Sequence, residues 1–235
     1  MKAKEFLSQR VDQLEVIDVL NSPGGQEALL ALGVRKVPCV VVGDRYCFAQ
    51  NLGDVAAFLG IPLDGQVLPP DRLVSKYLDI LAAAQRMVLQ VPADRMGERV
   101  IANRPRTIRP FCYHIFRIAE AYLIAHQGAE LSEDLTTTPP PPGISRGEEI
   151  VAYGAKITAR LDEWWETTAD RPCEKPIKTY YGVQAAHDVL ERCTWHSAQH
   201  CRQLAALLER YGITPDRPPT PDLLAGLPLP EGLWE

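Results

Sequence analysis

The residues best suited to chemistry are two histidines, His196 and His200, in a predicted helix towards the C-terminal end of the chain. On a helix, residues four positions apart are separated by about 40° around the axis and by one turn along it. Two imidazoles placed in this way can point at one metal ion. The same face carries an apolar stripe at helical spacing, formed by Ala186, Val189, Cys193, Leu204 and Leu207. This stripe predicts that both imidazoles face the protein interior.

A third histidine, His114, lies on the apolar stripe of a separate predicted helix. The stripe also contains Phe111, Ile115, Ile118, Ala121 and Tyr122. Burying three imidazoles costs free energy unless each is hydrogen-bonded or coordinated, so three satisfied core histidines are the alternative to a metal site. One divalent ion would satisfy all three, and three protein ligands with an open position are typical of a catalytic site. Imidazole ligation suits zinc, nickel, iron or copper and does not distinguish them.

Other reactive groups near these histidines have simpler interpretations. Cys193, one turn before His196, is either a fourth ligand or a small buried side chain that only packs. Arg106 and Arg109 either bind an anionic group on a substrate or are solvated surface arginines. We expect His126 and His187 to face solvent or to cap helices, outside the set of ligands. No acidic residue lies on the inward stripes near the histidines, so the sequence predicts no general base.

The elements that would position the histidines are helices. From Asp71 onward the periodicity is helical, and no strand is predicted. The predicted helices span 71–89, 107–125, 145–167 and 182–211. In the third of these, Ser145 is the predicted cap and Glu148 the capping-box residue. Between the second and third helices, 136–142 contains four consecutive prolines and predicts an exposed polyproline-like loop. Four amphipathic helices with one long connection are typical of a four-helix bundle.

Two segments that contain the three histidines resemble those of a known family. The segments Arg109–His114 and Trp195–His200, each on its own helix, resemble the DinB-like superfamily over roughly residues 71 to 211. The resemblance implies an up-down-down-up four-helix bundle, often dimeric, with a divalent metal held by His114, His196 and His200. Characterised members include thiol-dependent S-transferases and a thiol-dependent isomerase, and many members have no known activity.

The first sixty residues have a different, α/β pattern. A helix is predicted over 3–9, a strand over 14–19, and a second helix from Asn21 to a C′ glycine at Gly33. Two strands, 37–42 and 45–48, flank a turn at Gly43–Asp44. Asn51 is the predicted cap of a last helix, with Asp54 in the capping-box position. Residues 61–70 predict a linker between two domains, and the proline-rich residues 213–235 predict a tail that lies over the surface.

The segment Gly33–Gly43 resembles the second half of a glutaredoxin or thioredoxin-like domain. The resemblance implies a cis peptide bond between Val37 and Pro38, with the backbone of Val37 pairing with a bound thiol. It also implies that Asn51 and Asp54, at the start of the last helix, hold the γ-glutamyl end of glutathione. The first strand and the CxxC motif of that family are missing. The domain is therefore expected to be an incomplete one used for binding or packing, unless translation starts further upstream.

Composition limits the possible partners. The chain has 235 residues and a net charge of −5, which gives no basic face for nucleic acid. No apolar run reaches the roughly 18–20 residues of a membrane span. No apolar segment follows the lysines at the N-terminus as it would in a signal peptide, so we expect a cytoplasmic protein. The six cysteines show no paired pattern and are expected to be reduced thiols.

Three functions remain open from the sequence. The first is a divalent-metal-dependent enzyme that uses a low-molecular-weight thiol such as glutathione in S-transfer or isomerisation on a small electrophile. The second is a non-catalytic metal-binding or stress-response protein whose N-terminal module serves docking or dimerisation. The missing CxxC and the missing general base favour this second function. The third is a metal-dependent hydrolase that needs no thiol.

Overall fold

The computed structural model describes residues 2–19, 22–63, 67–101 and 104–234. Within these residues the protein is α+β and mostly helical, with two small antiparallel sheets of two strands each. The chain divides into two compact units, Met1–Gln66 with Pro230–Leu233, and Val67–Leu229 with Trp234. None of the helices in the described ranges is both long enough and apolar enough to cross a membrane.

The first unit contains a hairpin and three short helices. Its elements are α1 (Lys2–Ser8), α2 (Gly25–Ala31), β1 (Cys39–Val42), β2 (Arg45–Phe48) and α3 (Leu52–Leu59). Strands β1 and β2 pair antiparallel, with Val40 opposite Cys47. These two side chains pack against a small core that includes Phe6 and Val55. The predicted hairpin is therefore confirmed, although β1 begins only after Pro38, which has no N–H to donate to a ladder.

One predicted strand and one predicted helix start in the first unit are wrong. Residues 14–19 form no strand, because no described residue of this unit pairs with them. Strands β1 and β2 pair only with each other. Val16 and Ile17 are consequently about half exposed, at 55% and 49%. Helix α2 begins at Gly25 rather than at the predicted cap, since Gly24 before it is left-handed with φ of 73°. Asn21, the predicted cap, lies outside the described residues.

The second unit is built on four long helices. Its elements are α4 (Pro70–Leu89), α5 (Ile108–His126), α6 (Glu133–Thr137), α7 (Gly147–Thr167), β3 (Pro176–Thr179), β4 (Gly182–Ala185), α8 (Ala186–Arg210) and α9 (Pro221–Leu224), with a 3₁₀ turn at Ala93–Arg95. Helices α4 and α5 each pack against both α7 and α8. One core cluster joins them, with Tyr77, Phe116, Leu161 and Leu204 fully buried. Such burial contributes roughly 1.5–3 kcal/mol for each large apolar side chain.

A hairpin interrupts the helical pattern before α8, and the prediction of no strand after Asp71 is wrong. Ile177 on β3 pairs with Gln184 on β4. The alternation of buried and exposed residues in β3 is the period-two signal that the helical interpretation missed. Helix α8 therefore begins at Ala186, four residues later than predicted. The hairpin is anchored to the loop before α6, because Leu131 N–H donates to Lys178 O at 2.8 Å.

Helix α7 begins two residues after its predicted cap. Arg146 is the N-cap residue and Glu149, not Glu148, closes the capping box. The carboxylate of Glu149 accepts from Arg146 N at 3.0 Å and from Ser145 N at 2.6 Å. The position of Glu149 sets the start of the helix because this one side chain satisfies two backbone donors.

The C-terminal segment packs against the helices of the second unit. Lys76 on α4 donates to the carbonyls of Asp222 and Leu223 at 3.0 and 2.7 Å. The side-chain amide of Gln90 binds both Thr214 O and the N–H of Asp216. These bonds hold the segment along α4.

Candidate metal centre

The three predicted ligands lie together in the second unit. His114 comes from α5, and His196 and His200 come from α8. One ring nitrogen of each histidine lies within 4.8 Å of one from each of the other two, so the group could hold a metal ion. The ring centroids are 5.4 Å apart for His114 and His196, 5.2 Å for His114 and His200, and 4.8 Å for His196 and His200. Among the described residues this cluster contains imidazoles only.

Two buried hydroxyls fix the helices on which the ligands lie. Ser197, next to His196, donates to the carbonyl of Ile115, next to His114, at 3.0 Å. Since the Ser197 hydroxyl donates there, it accepts from the Tyr77 hydroxyl of α4 at 3.1 Å. Helices α4, α5 and α8 are therefore joined by hydrogen bonds at the level of the imidazoles. A buried hydroxyl left without these partners would cost free energy, which makes the register specific.

Hydrogen bonds also orient two of the imidazoles. His114 Nδ1 donates to Thr136 O at 2.9 Å, and His200 Nδ1 donates to Gln203 Oε1 at 2.7 Å. Because Nδ1 carries the proton in both rings, Nε2 has its lone pair available for a metal. His200 Nε2 is buried and has no hydrogen-bond partner. An orphaned buried nitrogen is costly, and a coordinated divalent ion would satisfy it, so these residues fit a metal.

The surroundings of the three imidazoles favour their neutral form. Burial, followed by the charges of His200 and Arg106, holds the pKa of His114 well below its ordinary value. Burial and the two neighbouring imidazoles do the same to the pKa of His196. Burial lowers the pKa of His200 to about 4. A metal ligand must be deprotonated, so no proton has to be displaced from these rings near neutral pH.

The loop at 136–142 is exposed over most of its length, as predicted, but one of its backbone carbonyls contacts His114. Its first two residues end α6, and within it Thr136 and Pro140 are buried. Arg117 Nε donates to Leu135 O at 2.8 Å, and Arg109 Nη2 donates to Pro140 O at 3.1 Å. Two arginines of α5 thus hold the loop by its carbonyls, which a proline-rich segment leaves free because it forms no internal ladder. Arg109, for which the sequence left open anion binding or simple solvation, serves the loop in this way.

We expect Gln203→Leu to weaken binding of a divalent ion by roughly 10- to 100-fold, the usual cost of removing a partner that orients a metal-binding histidine. The leucine cannot accept the proton of His200 Nδ1. Calorimetric titration of the metal-free protein with zinc measures the effect. Gln203→Glu keeps an acceptor at the same place and is expected to retain affinity within a few-fold. Equal affinity in the leucine variant and the unmodified protein would contradict the orienting role.

Arginines supply the charge around the imidazoles. Arg106 lies just before α5, and it lowers the pKa of all three histidines. Arg192, which the sequence analysis missed, lies on α8 one turn before His196 and is only 9% exposed. Its Nη2 donates to the Tyr180 hydroxyl at 3.1 Å. The spacing of 192, 196 and 200 was a readable signal, since it places three polar residues along one buried helix face.

The remaining candidates lie outside the cluster. Cys193 is fully buried, burial raises its pKa to about 12, and its thiol is not part of the three-histidine group. His126 was expected to face solvent or to cap a helix, and it does not face solvent. Its Nδ1 accepts from Trp164 Nε1 at 3.3 Å, and its side chain is 12% exposed. His187 Nε2 donates to Leu68 O at 2.8 Å, which gives this ring a local structural partner.

The predicted thiol-binding residues lie in the first unit. Val37 is 48% exposed, and its peptide bond to Pro38 is cis, as the resemblance implied. Asn51 caps α3 as predicted, because its Oδ1 accepts from Gly53 N at 2.7 Å. Asp54 lies in the first turn of that helix. Their role in binding a thiol stays a prediction.

Glu191, a partly buried carboxyl on α8, gives the second unit a pH-dependent stability. Burial, followed by the charge of Asp188, raises the pKa of Glu191 from its ordinary 4.5 to about 7. Between these two values the folded protein keeps a proton that the unfolded chain has released. The stability that the protonated Glu191 contributes is therefore present at low pH and is lost as the pH rises through this window.

We expect Glu191→Gln, which cannot ionise, to remove this pH dependence. At pH 8 the variant should be more stable than the unmodified protein by roughly 2–3 kcal/mol, and at pH 4.5 by less than about 0.5 kcal/mol. Urea unfolding of the metal-free proteins measures both differences. Exposed Glu209 on the same helix is the matched control, and Glu209→Gln should leave stability unchanged at both pH values. A difference that does not vary with pH would contradict the raised pKa.

Comparisons with protein-family models, curated proteins and solved structures match none of them to this chain.

Proposed function

We propose that the chain binds one divalent metal ion through His114, His196 and His200 and uses it to activate a small thiol for S-transfer or isomerisation on an electrophile. The observation that carries the proposal is the convergence of three imidazoles, one buried and two partly buried, with an orphaned Nε2 on His200. When bound, a divalent ion acts as a Lewis acid that lowers the pKa of a thiol. Zinc, nickel and iron all suit such ligands.

The helical unit supports a more specific assignment. Its long helices α4, α5, α7 and α8 pack around one core, and the ligands come from the second and fourth of them. This order fits the up-down-down-up bundle of the DinB-like superfamily, to which the motifs at 109–114 and 195–200 are similar. We therefore propose that this unit is a DinB-like four-helix bundle, in which thiol-dependent transfer is a known activity.

The first unit would recognise the thiol. In an incomplete thioredoxin-like domain, the exposed Val37 next to Pro38 would pair with the backbone of glutathione. The start of α3, with Asn51 and Asp54, would hold its γ-glutamyl end, since helix N-termini favour carboxylates. In support, a hairpin is followed directly by a capped helix, which is the order that the resemblance implies.

Calorimetric titration with glutathione tests the thiol role. We expect heat from binding to the zinc-loaded protein, and a weaker affinity when the metal is absent or when the probe is S-methylglutathione, whose sulfur cannot become a thiolate. Zinc binding without any glutathione binding would overturn the thiol role. Such a result would favour the metal-dependent hydrolase or the non-catalytic metal-binding protein.

A further inference from the structure

A cleft of the second unit lies at the start of α5, and none of the three histidines lines it. Its volume is about 440 Å³, which is within the range of sites that bind small molecules. Its apolar walls are formed by Met96, Pro110, Pro139 and Pro140. Thr107 and Arg109 are polar side chains in the same walls. Such a cleft suits a small molecule with an apolar body and one polar end.

Two side chains offer hydrogen-bond donors to this cleft. Arg109 donates from Nη2 to Pro140 O, which is the one hydrogen bond of its side chain among the described residues. Its Nε is buried without a partner, and no carboxylate of the described residues forms an ion pair with it. The Thr107 hydroxyl, at the N-cap of α5, makes no capping hydrogen bond. The cleft therefore contains a cation and a hydroxyl whose donors are available to a ligand.

Two carboxylates lie close in the chain to residues that line the cleft, and each has an arginine of its own. Glu98 accepts from Arg95 Nη1 at 3.2 Å. Glu149 accepts from Arg146 Nη2 at 3.1 Å. Neither carboxylate compensates the charge of Arg109, so that charge favours a ligand of opposite sign. A planar guanidinium binds a carboxylate well because its N–H groups match the two oxygens.

We propose that this cleft binds a small organic carboxylate, which accepts hydrogen bonds from Arg109 and Thr107 while its apolar part packs against the prolines. Inorganic phosphate would leave the apolar walls uncovered, so they favour an organic ligand. The backbone at the start of α5 plays no part, because the N–H groups of Ile108 and Arg109 already donate to carbonyls. This site is separate from the metal centre and does not depend on the proposed function.

The test titrates the metal-free full chain with 4-fluorobenzoate and with its neutral analogue 4-fluorobenzamide, followed by fluorine NMR. We expect the benzoate to bind at least roughly tenfold more tightly, the equivalent of one charge-assisted hydrogen bond. Arg109→Gln should bring this ratio close to one, because glutamine keeps a donor for the loop but carries no charge. Arg104→Gln removes an exposed arginine that does not line the cleft, and it should keep the ratio.

A second variant fills the cleft and leaves Arg109 in place. Gly97 lines the cleft, and a Cβ added to it would meet no atom within 4 Å, so the backbone can accept Gly97→Leu. We expect this variant to lose binding of both probes. Gly143 is equally unobstructed but does not line the cleft, so Gly143→Leu is the matched control and should bind both probes as the unmodified protein does.

Four results would overturn the inference. They are no binding of 4-fluorobenzoate at millimolar concentration, a ratio near one in the unmodified protein, binding that survives Gly97→Leu, and inorganic phosphate that binds more tightly than 4-fluorobenzoate. Zinc titration of the same protein measures the metal centre separately. The carboxylate site and the proposed function can therefore fail independently of each other.

Discussion

Replacing His196 by alanine is expected to weaken the binding of a divalent metal ion more than any other substitution proposed for this protein. The structure brings His196 together with His114 and His200, and a site with two imidazoles left has lost a ligand that no other described residue can replace. The apparent binding free energy of a structural zinc ion with four ligands is roughly 10–16 kcal/mol, or about 3 kcal/mol for each ligand. Loss of one ligand should therefore lower the affinity by roughly 100- to 1,000-fold. Calorimetry with zinc, supported by metal analysis of the purified variant, measures the loss.

The chain contains its own matched controls for this substitution. His126 lies on the same helix as His114, and His187 lies on the same helix as His196. Both have hydrogen-bond partners of their own and lie outside the cluster. We expect His126→Ala and His187→Ala to keep one bound zinc per chain. Equal loss of zinc in these controls would mean that general destabilisation, rather than a lost ligand, explains the His196 result.

Glu120→Ala is expected to lower the free energy of unfolding by about 3 kcal/mol, within the range for breaking a buried ion pair. Glu120 on α5 forms an ion pair with Arg117 and accepts from Tyr153 OH at 2.6 Å and Arg160 Nη1 at 3.0 Å. Its side chain is only 16% exposed, so water cannot replace these bonds fully. Urea unfolding measures the loss, and exposed Glu163→Ala on α7 should cost less than about 0.5 kcal/mol.

The same substitution should also weaken metal binding, by roughly tenfold. Arg117, which Glu120 holds, donates to Leu135 O, and the next residue in the chain supplies the carbonyl that orients His114. Without the carboxylate, Arg117 loses the partner that fixes it against the loop. A variant that is destabilised as expected but binds zinc with unchanged affinity would show that the loop orients His114 without Glu120.

The ligands could be predicted from the sequence because their arrangement follows from local geometry. Spacing by four residues and a continuous apolar stripe fix the direction of His196 and His200, and the stripe of a second helix does the same for His114. The α+β class followed from the change of periodicity between the halves. Arg192 and Gln203 could also be predicted from the sequence, because they lie about one turn on either side of the histidine pair.

What could not be predicted depends on contacts between distant residues. The carbonyl that orients His114 is 22 residues away, at a buried position of a proline-rich loop that is otherwise mostly exposed. Residues 14–19 have the composition of a strand, but the described residues provide no partner for them. The hairpin before α8 could not be predicted, because its strands have only four residues each and helical periodicity is recognised over longer segments. In each case the pairing partner, not the local pattern, decided the structure.

Whether three imidazoles hold one metal ion is measured most directly by X-ray absorption of the protein loaded with one equivalent of zinc. We expect three imidazole nitrogens at about 2.0–2.1 Å from the metal, a remaining position filled by oxygen, and no sulfur ligand. A shell containing cysteine sulfur, or fewer than three imidazoles, would contradict the metal centre formed by His114, His196 and His200.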